Sequence, residues 1–149
     1  MENYLTKSPI QTKKLGKAFA KKILKSKFSQ KAVVLGLIGD LGGGKTTFIQ
    51  GFAKGLGIKE KILSPTFVLM KKFSIPSGVF VHIDCYRIQK PKELLDLGFK
   101  KLITNPKNIV VIEWADRINK IMPKGSKILK FKFINRETRR IVLELKNGK

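Results

Sequence analysis

Gly39-Asp40-Leu41-Gly42-Gly43-Gly44-Lys45-Thr46 lies between two segments of different character. Before it, Lys31 to Ile38 is an apolar, β-branched run of the kind that forms a buried strand. After it, Thr46 to Leu56 reads as a helix. Strand, glycine-rich turn and helix is the order required by the phosphate-binding pattern G-x-x-x-x-G-K-[ST], which these eight residues match. Each residue type has a mechanical reason. Glycines let the backbone curl until successive N–H groups point at anionic oxygens, and the following helix adds its positive dipole end. Lys45 is expected to reach the β- and γ-phosphates of a nucleotide, and the Thr46 hydroxyl to ligate Mg²⁺.

A chain of 149 residues, 42% of them hydrophobic, is large enough for one core and too short for two, so a single domain over residues 1–149 is expected. No apolar run approaches the roughly 18 residues that span a bilayer, and Met1 to Lys7 lacks the apolar core of a signal peptide. With Cys85 as its lone cysteine, the chain has no internal disulfide, in keeping with an expected cytoplasmic location and no membrane association. The net charge of +22 rests on 27 lysines against 5 arginines, spread along the chain. A diffuse lysine surplus fits a solvated surface, and it also fits a charge footprint that assists an RNA-bearing complex.

Residues Gln11 to Lys27 place Leu15, Ala18, Phe19, Ile23 and Leu24 at helical spacing. Strands are expected at Thr66–Phe73, Val79–Asp84, Asn108–Trp114, Lys127–Ile134 and Thr138–Leu145. Pro76-Ser77-Gly78 and Asn135-Arg136-Glu137 are too short for a helical crossover, so the strands flanking each must pair antiparallel. Short helices are expected at Lys92–Leu97, ended by Gly98, and at Ala115–Met122, stopped by Pro123. The sum is an α/β, phosphate-loop three-layer sandwich with a mixed sheet and an antiparallel C-terminal hairpin.

Hydrolysis or transfer also needs a carboxylate at the end of an apolar strand, close enough to Mg²⁺ to hold it directly or through water. Two segments qualify: Asn108 to Glu113, and Val79 to Asp84. Both acids stand at strand C-terminal edges, where binding and catalytic residues concentrate. Ser64-Pro65-Thr66 lies where many phosphate-loop hydrolases place a γ-phosphate sensor. His82, a lone histidine on a strand, reads as a hydrogen-bonded core or rim residue rather than a proton carrier.

Four blocks together, Gly39 to Thr47, Ser-Pro-Thr-Phe at 64–67, His-Ile-Asp-Cys-Tyr-Arg at 82–87 and Ile-Glu-Trp at 112–114, carry a resemblance in order and spacing over nearly the whole chain. The chain resembles the bacterial tRNA threonylcarbamoyladenosine biosynthesis ATPases of the TsaE family, formerly YjeE. That resemblance implies an ATPase working with two partner proteins, TsaD and TsaB, in placing a threonylcarbamoyl group on adenosine 37 of tRNAs that read codons beginning with A. TsaD carries the transferase site, and the family member resets the complex by hydrolysing ATP. It further implies that Thr46 and Glu113 ligate Mg²⁺, and that Gly42, Gly43, Gly44, Lys45, Thr46 and Thr47 hold the phosphates. By the same resemblance Asp84 orients water or metal, Trp114 lies beside the metal acid, and Tyr86 and Arg87 are structural or face TsaD. Thr12 would stand near the nucleotide base, and one of Arg136, Arg139 or Arg140, with Arg140 the candidate taken forward, would approach the nucleotide. Two positions depart from the family pattern: Gly43 stands where alanine is common, and Cys85 replaces a more usual leucine.

Other functions fit less well. A small kinase needs a mobile lid with arginines that close over the transferred phosphate, whereas Lys120 to Lys149 reads as a hairpin. A GTPase needs Asn-Lys-x-Asp, and Asn119-Lys120-Ile121-Met122 has methionine where the carboxylate would read guanine. An RNA-binding scaffold would show stacking aromatics interleaved with basic residues on a sheet face, and no such ladder is evident.

Overall fold

The computed structural model describes residues 2–26, 30–39, 44–63 and 69–146. Along the chain run β1 (Glu2–Thr6), α1 (Pro9–Lys25), β2 (Val33–Gly39), α2 (Lys45–Gly55), β3 (Met70–Ile75), β4 (Gly78–Asp84), α3 (Pro91–Leu95), α4 (Phe99–Thr104), β5 (Asn108–Glu113), a 3-10 helix (Ala115–Ile121), β6 (Lys127–Phe133) and β7 (Arg139–Leu145). The strands form one sheet in the order β1-β7-β6-β2-β5-β4-β3. β2 is parallel to both β5 and β6, and β4 is parallel to β5. The two short connections produce antiparallel pairs as expected, β3 with β4 and β6 with β7.

Side-chain alternation along the central strands builds a core on each face of the sheet. On β5, Ile109 and Val111 join Phe19 of α1 and Phe48 and Phe52 of α2. The intervening Val110 and Ile112 join Leu94 of α3, Phe99 and Leu102 of α4, and Ile118 of the 3-10 helix. Helices on both faces of a mixed sheet with a parallel centre make the expected three layers. Phe48, Phe52 and Phe80 are fully buried, each contributing about 1.5–3 kcal/mol over an exposed ring.

α1 starts two residues earlier than its apolar spacing indicates. The Ser8 hydroxyl accepts a hydrogen bond from the Gln11 N–H at 3.1 Å, and Pro9 suits the first turn. α1 then packs backbone to backbone on α2. A methyl group added at Gly16 would lie 2.1 Å from the Phe48 carbonyl oxygen, and one at Gly51 would lie 2.0 Å from that of Lys13. This contact fixes where α2 begins relative to the sheet.

Two elements escape the sequence reading. β1 is an edge strand paired antiparallel with β7, and its mostly exposed residues carry no alternating apolar pattern. α4 is six residues long, with only Phe99 and Leu102 buried, below the length at which helical periodicity shows. Other boundaries differ by a few residues. The expected strand from Thr66 is seen as β3, and its first residues lie outside the described ones. The strand expected to include Trp114 ends at Glu113, because Trp114 turns into left-handed backbone (φ 58°, ψ 42°). No helix among the described residues is long and apolar enough to cross a membrane.

Candidate phosphate and metal site

β2 ends at Gly39 and α2 begins at Lys45, so the link between them opens at the C-terminal edge of the parallel strands. Gly44 caps α2 in left-handed backbone (φ 95°), where a side chain would be strained, and no side chain caps the helix. The leading N–H groups of α2 stand at the positive end of the helix dipole. Asp40, Leu41, Gly42 and Gly43, and the whole Ser64-Pro65-Thr66-Phe67 block, lie outside the described residues.

Period-2 alternation selects the acids. Phe80, Ile109 and Val111 face α1 and α2, so the residues in phase with them, His82 and Asp84 on β4 and Glu113 on β5, face the same way. Asp84 and Glu113 are register partners on adjacent strands, and Glu113 is opposite Leu37 of β2. The Thr46 hydroxyl donates to Glu113 Oε1 at 3.5 Å, a long bond that leaves both oxygens near one point in space. Glu113 Oε2 bonds to His82 Nε2 at 2.8 Å. The Lys45 side chain is buried. Its ammonium donates to the Gly39 carbonyl and lies 3.9 Å from the centroid of the Trp114 ring, a cation–π contact.

Asp84 is half-buried, and its Oδ1 accepts from the Tyr86 N–H at 2.9 Å. Burial holds its carboxyl above the ordinary range. The Tyr86 N–H pulls the other way, and the neighbouring Glu113 charge adds to the rise. Outside these acids, the Tyr86 ring packs 5.0 Å from that of Trp114, and the Arg117 guanidinium lies over both rings.

The sequence candidates thus divide. Lys45, Thr46, Asp84 and Glu113 come together, and Thr47 is half-buried on α2. Thr12 is buried, its hydroxyl 2.7 Å from that of Thr6, and its methyl would stand 3.7 Å from a side chain placed on Gly44. Arg140 is a different case. It is exposed, opposite Lys132 of β6, and strand alternation sends it to the face away from Ile141 and α2. Arg139, in phase with Ile141, is the arginine whose stem would lie 3.5 Å from a side chain on Gly44. Its guanidinium donates to the Asn135 and Thr138 carbonyls at 2.7 and 3.0 Å and covers the Phe133 ring. The phase of β7 against its buried Ile141 was the signal that separates the two. For His82, the same signal was its position two residues before Asp84.

The residues present suit a hard divalent cation. Among the described residues no three His, Cys, Asp or Glu side chains converge as a metal set. Two oxygens, from Thr46 and Glu113, match an ion that keeps most of its shell for water and phosphate, as Mg²⁺ does.

Strand, glycine-capped helix bearing Lys-Thr, and an acid on the adjacent parallel strand define a protein of phosphate-loop α/β architecture. The family model described as "Threonylcarbamoyl adenosine biosynthesis protein TsaE" matches residues 6–142. The chain belongs to the TsaE family. Among its relatives are the tRNA threonylcarbamoyladenosine biosynthesis proteins TsaE of Haemophilus influenzae, 36% identical over 75% of this chain and 70% of that one, and of Bacillus subtilis, 37% identical over 80% and 70%. The crystal structure of Bacillus subtilis YdiB superposes with a TM-score of 0.78 at 29% identity, over 97% of this chain and 84% of that one.

Proposed function

We propose that this chain is a Mg²⁺-dependent ATPase that acts with TsaD and TsaB in the threonylcarbamoyl modification of adenosine 37, in tRNAs reading codons that begin with A, and that hydrolysis resets the complex between turnovers. The observation that carries the reading is the convergence of Lys45, Thr46 and Glu113 at the C-terminal edge of the parallel strands, with Thr46 and Glu113 in hydrogen-bond contact. Family membership supports the pathway, and the missing guanine-reading carboxylate supports ATP over GTP.

Each residue has a part its chemistry suits. Lys45 exchanges the Gly39 carbonyl and the Trp114 ring for phosphate oxygens, which bind an ammonium more strongly than either. Thr46 and Glu113 hold Mg²⁺, which supplies charge neutralisation when bound. Asp84, kept partly out of solvent beside Glu113, orients water. Thr12 and Arg139 border Gly44, where α2 begins. The chain alone hydrolyses slowly, because water exclusion and further charge stabilisation are left to a partner.

The test is the ATP hydrolysis rate of the purified chain alone and with TsaD, TsaB and tRNA, with GTP as control. Stimulation specific to ATP is expected. A rate unchanged by the partners would sink the proposed role.

A further inference from the structure

We infer that His82 is a positioning residue for Glu113: it holds Oε2 of the buried carboxylate and so turns Oε1 toward the Thr46 hydroxyl, the side on which the two residues would hold a divalent cation. The inference rests on the metal reading above and adds a residue to it.

The two oxygens of Glu113 stand at unequal distances from His82 and Thr46. Oε2 is 2.8 Å from His82 Nε2, while Oε1 is 3.5 Å from Thr46 Oγ1. The first distance is that of a strong, charge-assisted bond and the second is at the limit of bonding. A carboxylate only accepts, so Nε2 carries the hydrogen and the tautomer is set by this contact.

His82 itself is held rigidly. It is fully buried, lies opposite Val111 on β5 and Lys71 on β3, and stacks on Phe80 with the ring planes 18° apart. Its other nitrogen, Nδ1, is buried with no hydrogen-bond partner among the described residues. A phenylalanine or leucine would fill that slot without stranding Nδ1, but it would take this N–H away from the buried Glu113 carboxylate. What the imidazole adds is an N–H aimed at one carboxylate oxygen. This is the arrangement by which an outer residue orients a metal ligand.

His82 is the chain's only histidine, so its ring nitrogens are assigned in a long-range proton–nitrogen spectrum without ambiguity. In the free chain the spectrum should show a proton on Nε2 that exchanges slowly with solvent. Glu113→Ala should abolish that protection. If the Nε2 proton is unprotected, or is unchanged in Glu113→Ala, the inference falls whatever the enzyme does. Mg²⁺ titrations of ATP hydrolysis and calorimetric ATP binding in EDTA then compare the parent with His82→Leu and His82→Gln. His82→Leu should raise the Mg²⁺ midpoint tenfold or more and leave metal-free binding within twofold. His82→Gln, which keeps an N–H donor, should recover part of the midpoint. An unmoved midpoint in folded His82→Leu, or equal losses of metal-free and metal-bound affinity, would overturn it. A parent that hydrolyses ATP without any Mg²⁺ requirement would instead overturn the metal reading, with the ring spectrum still deciding whether the His82–Glu113 pair exists.

Discussion

The Lys45 ammonium rests against the face of Trp114, 3.9 Å from the ring centroid, and the Tyr86 ring packs on the same indole. Phosphate oxygens should draw the ammonium away, and Trp114 is the only tryptophan in the chain. ATP binding should therefore change the intrinsic emission. Lys45→Ala should show an altered starting spectrum and little response. Calorimetric saturation with an unchanged parent spectrum would show that Lys45 stays on the ring.

Lys45→Ala and Glu113→Ala should fail differently. Losing charge-assisted bonds worth about 1.5–3 kcal/mol should weaken ATP binding roughly 10- to 100-fold in the first. Glu113→Ala should reduce turnover about 100-fold or more while sparing affinity, since that residue serves the metal. Calorimetry paired with phosphate-release assays separates the two. Parent-like hydrolysis by both variants would mean that the site lies elsewhere.

Asp84 carries a pH signature. Its folded-state pKa lies above the ordinary 3.8, so in a window opening at 3.8 and extending upward the folded chain keeps a proton the unfolded chain has lost. Stability falls as pH rises through that window. Asp84→Asn removes the disfavoured charge and keeps an acceptor for the Tyr86 N–H. Its Tm should exceed the parent's at pH 7, the gap closing below the window, while hydrolysis falls. Thermal melts across pH check the first claim, and a parent that is the more stable form at pH 7 would refute it.

Gly51→Ala should destabilise by about 1–3 kcal/mol through overpacking, more than the roughly 1 kcal/mol that alanine gains in helix propensity. The added methyl would meet the Lys13 carbonyl oxygen at 2.0 Å. A Tm equal to the parent's would show that the α1–α2 contact is looser than described.

Cys85 is fully buried, and burial pushes its thiol up to about 12, with Asp84 and Asp116 adding to the rise. Thiolate is the reactive form, so an aromatic disulfide reagent should label Cys85 only after denaturation. Rapid labelling of the folded chain would contradict this.

What the sequence determined by itself was local. The apolar run before Gly39 and the Lys45-Thr46 pair that opens α2 are near neighbours in the chain, so strand and helix are specified by residues that constrain one another directly. The lengths of Pro76-Ser77-Gly78 and Asn135-Arg136-Glu137 likewise dictated two antiparallel pairs, and the apolar runs ending in Asp84 and Glu113 marked both acids. The tertiary structure decided which distant residues meet. His82 and Glu113 are 31 positions apart and Thr46 and Glu113 are 67. Their contacts exist only because β4 and β2 flank β5 in a particular register. Arg139 and not Arg140 borders Gly44 for the same reason: a strand's side chains alternate, and packing against α1 and α2 sets the phase. Register and phase are chosen by the burial of two whole faces at once, a choice that no single stretch of sequence contains.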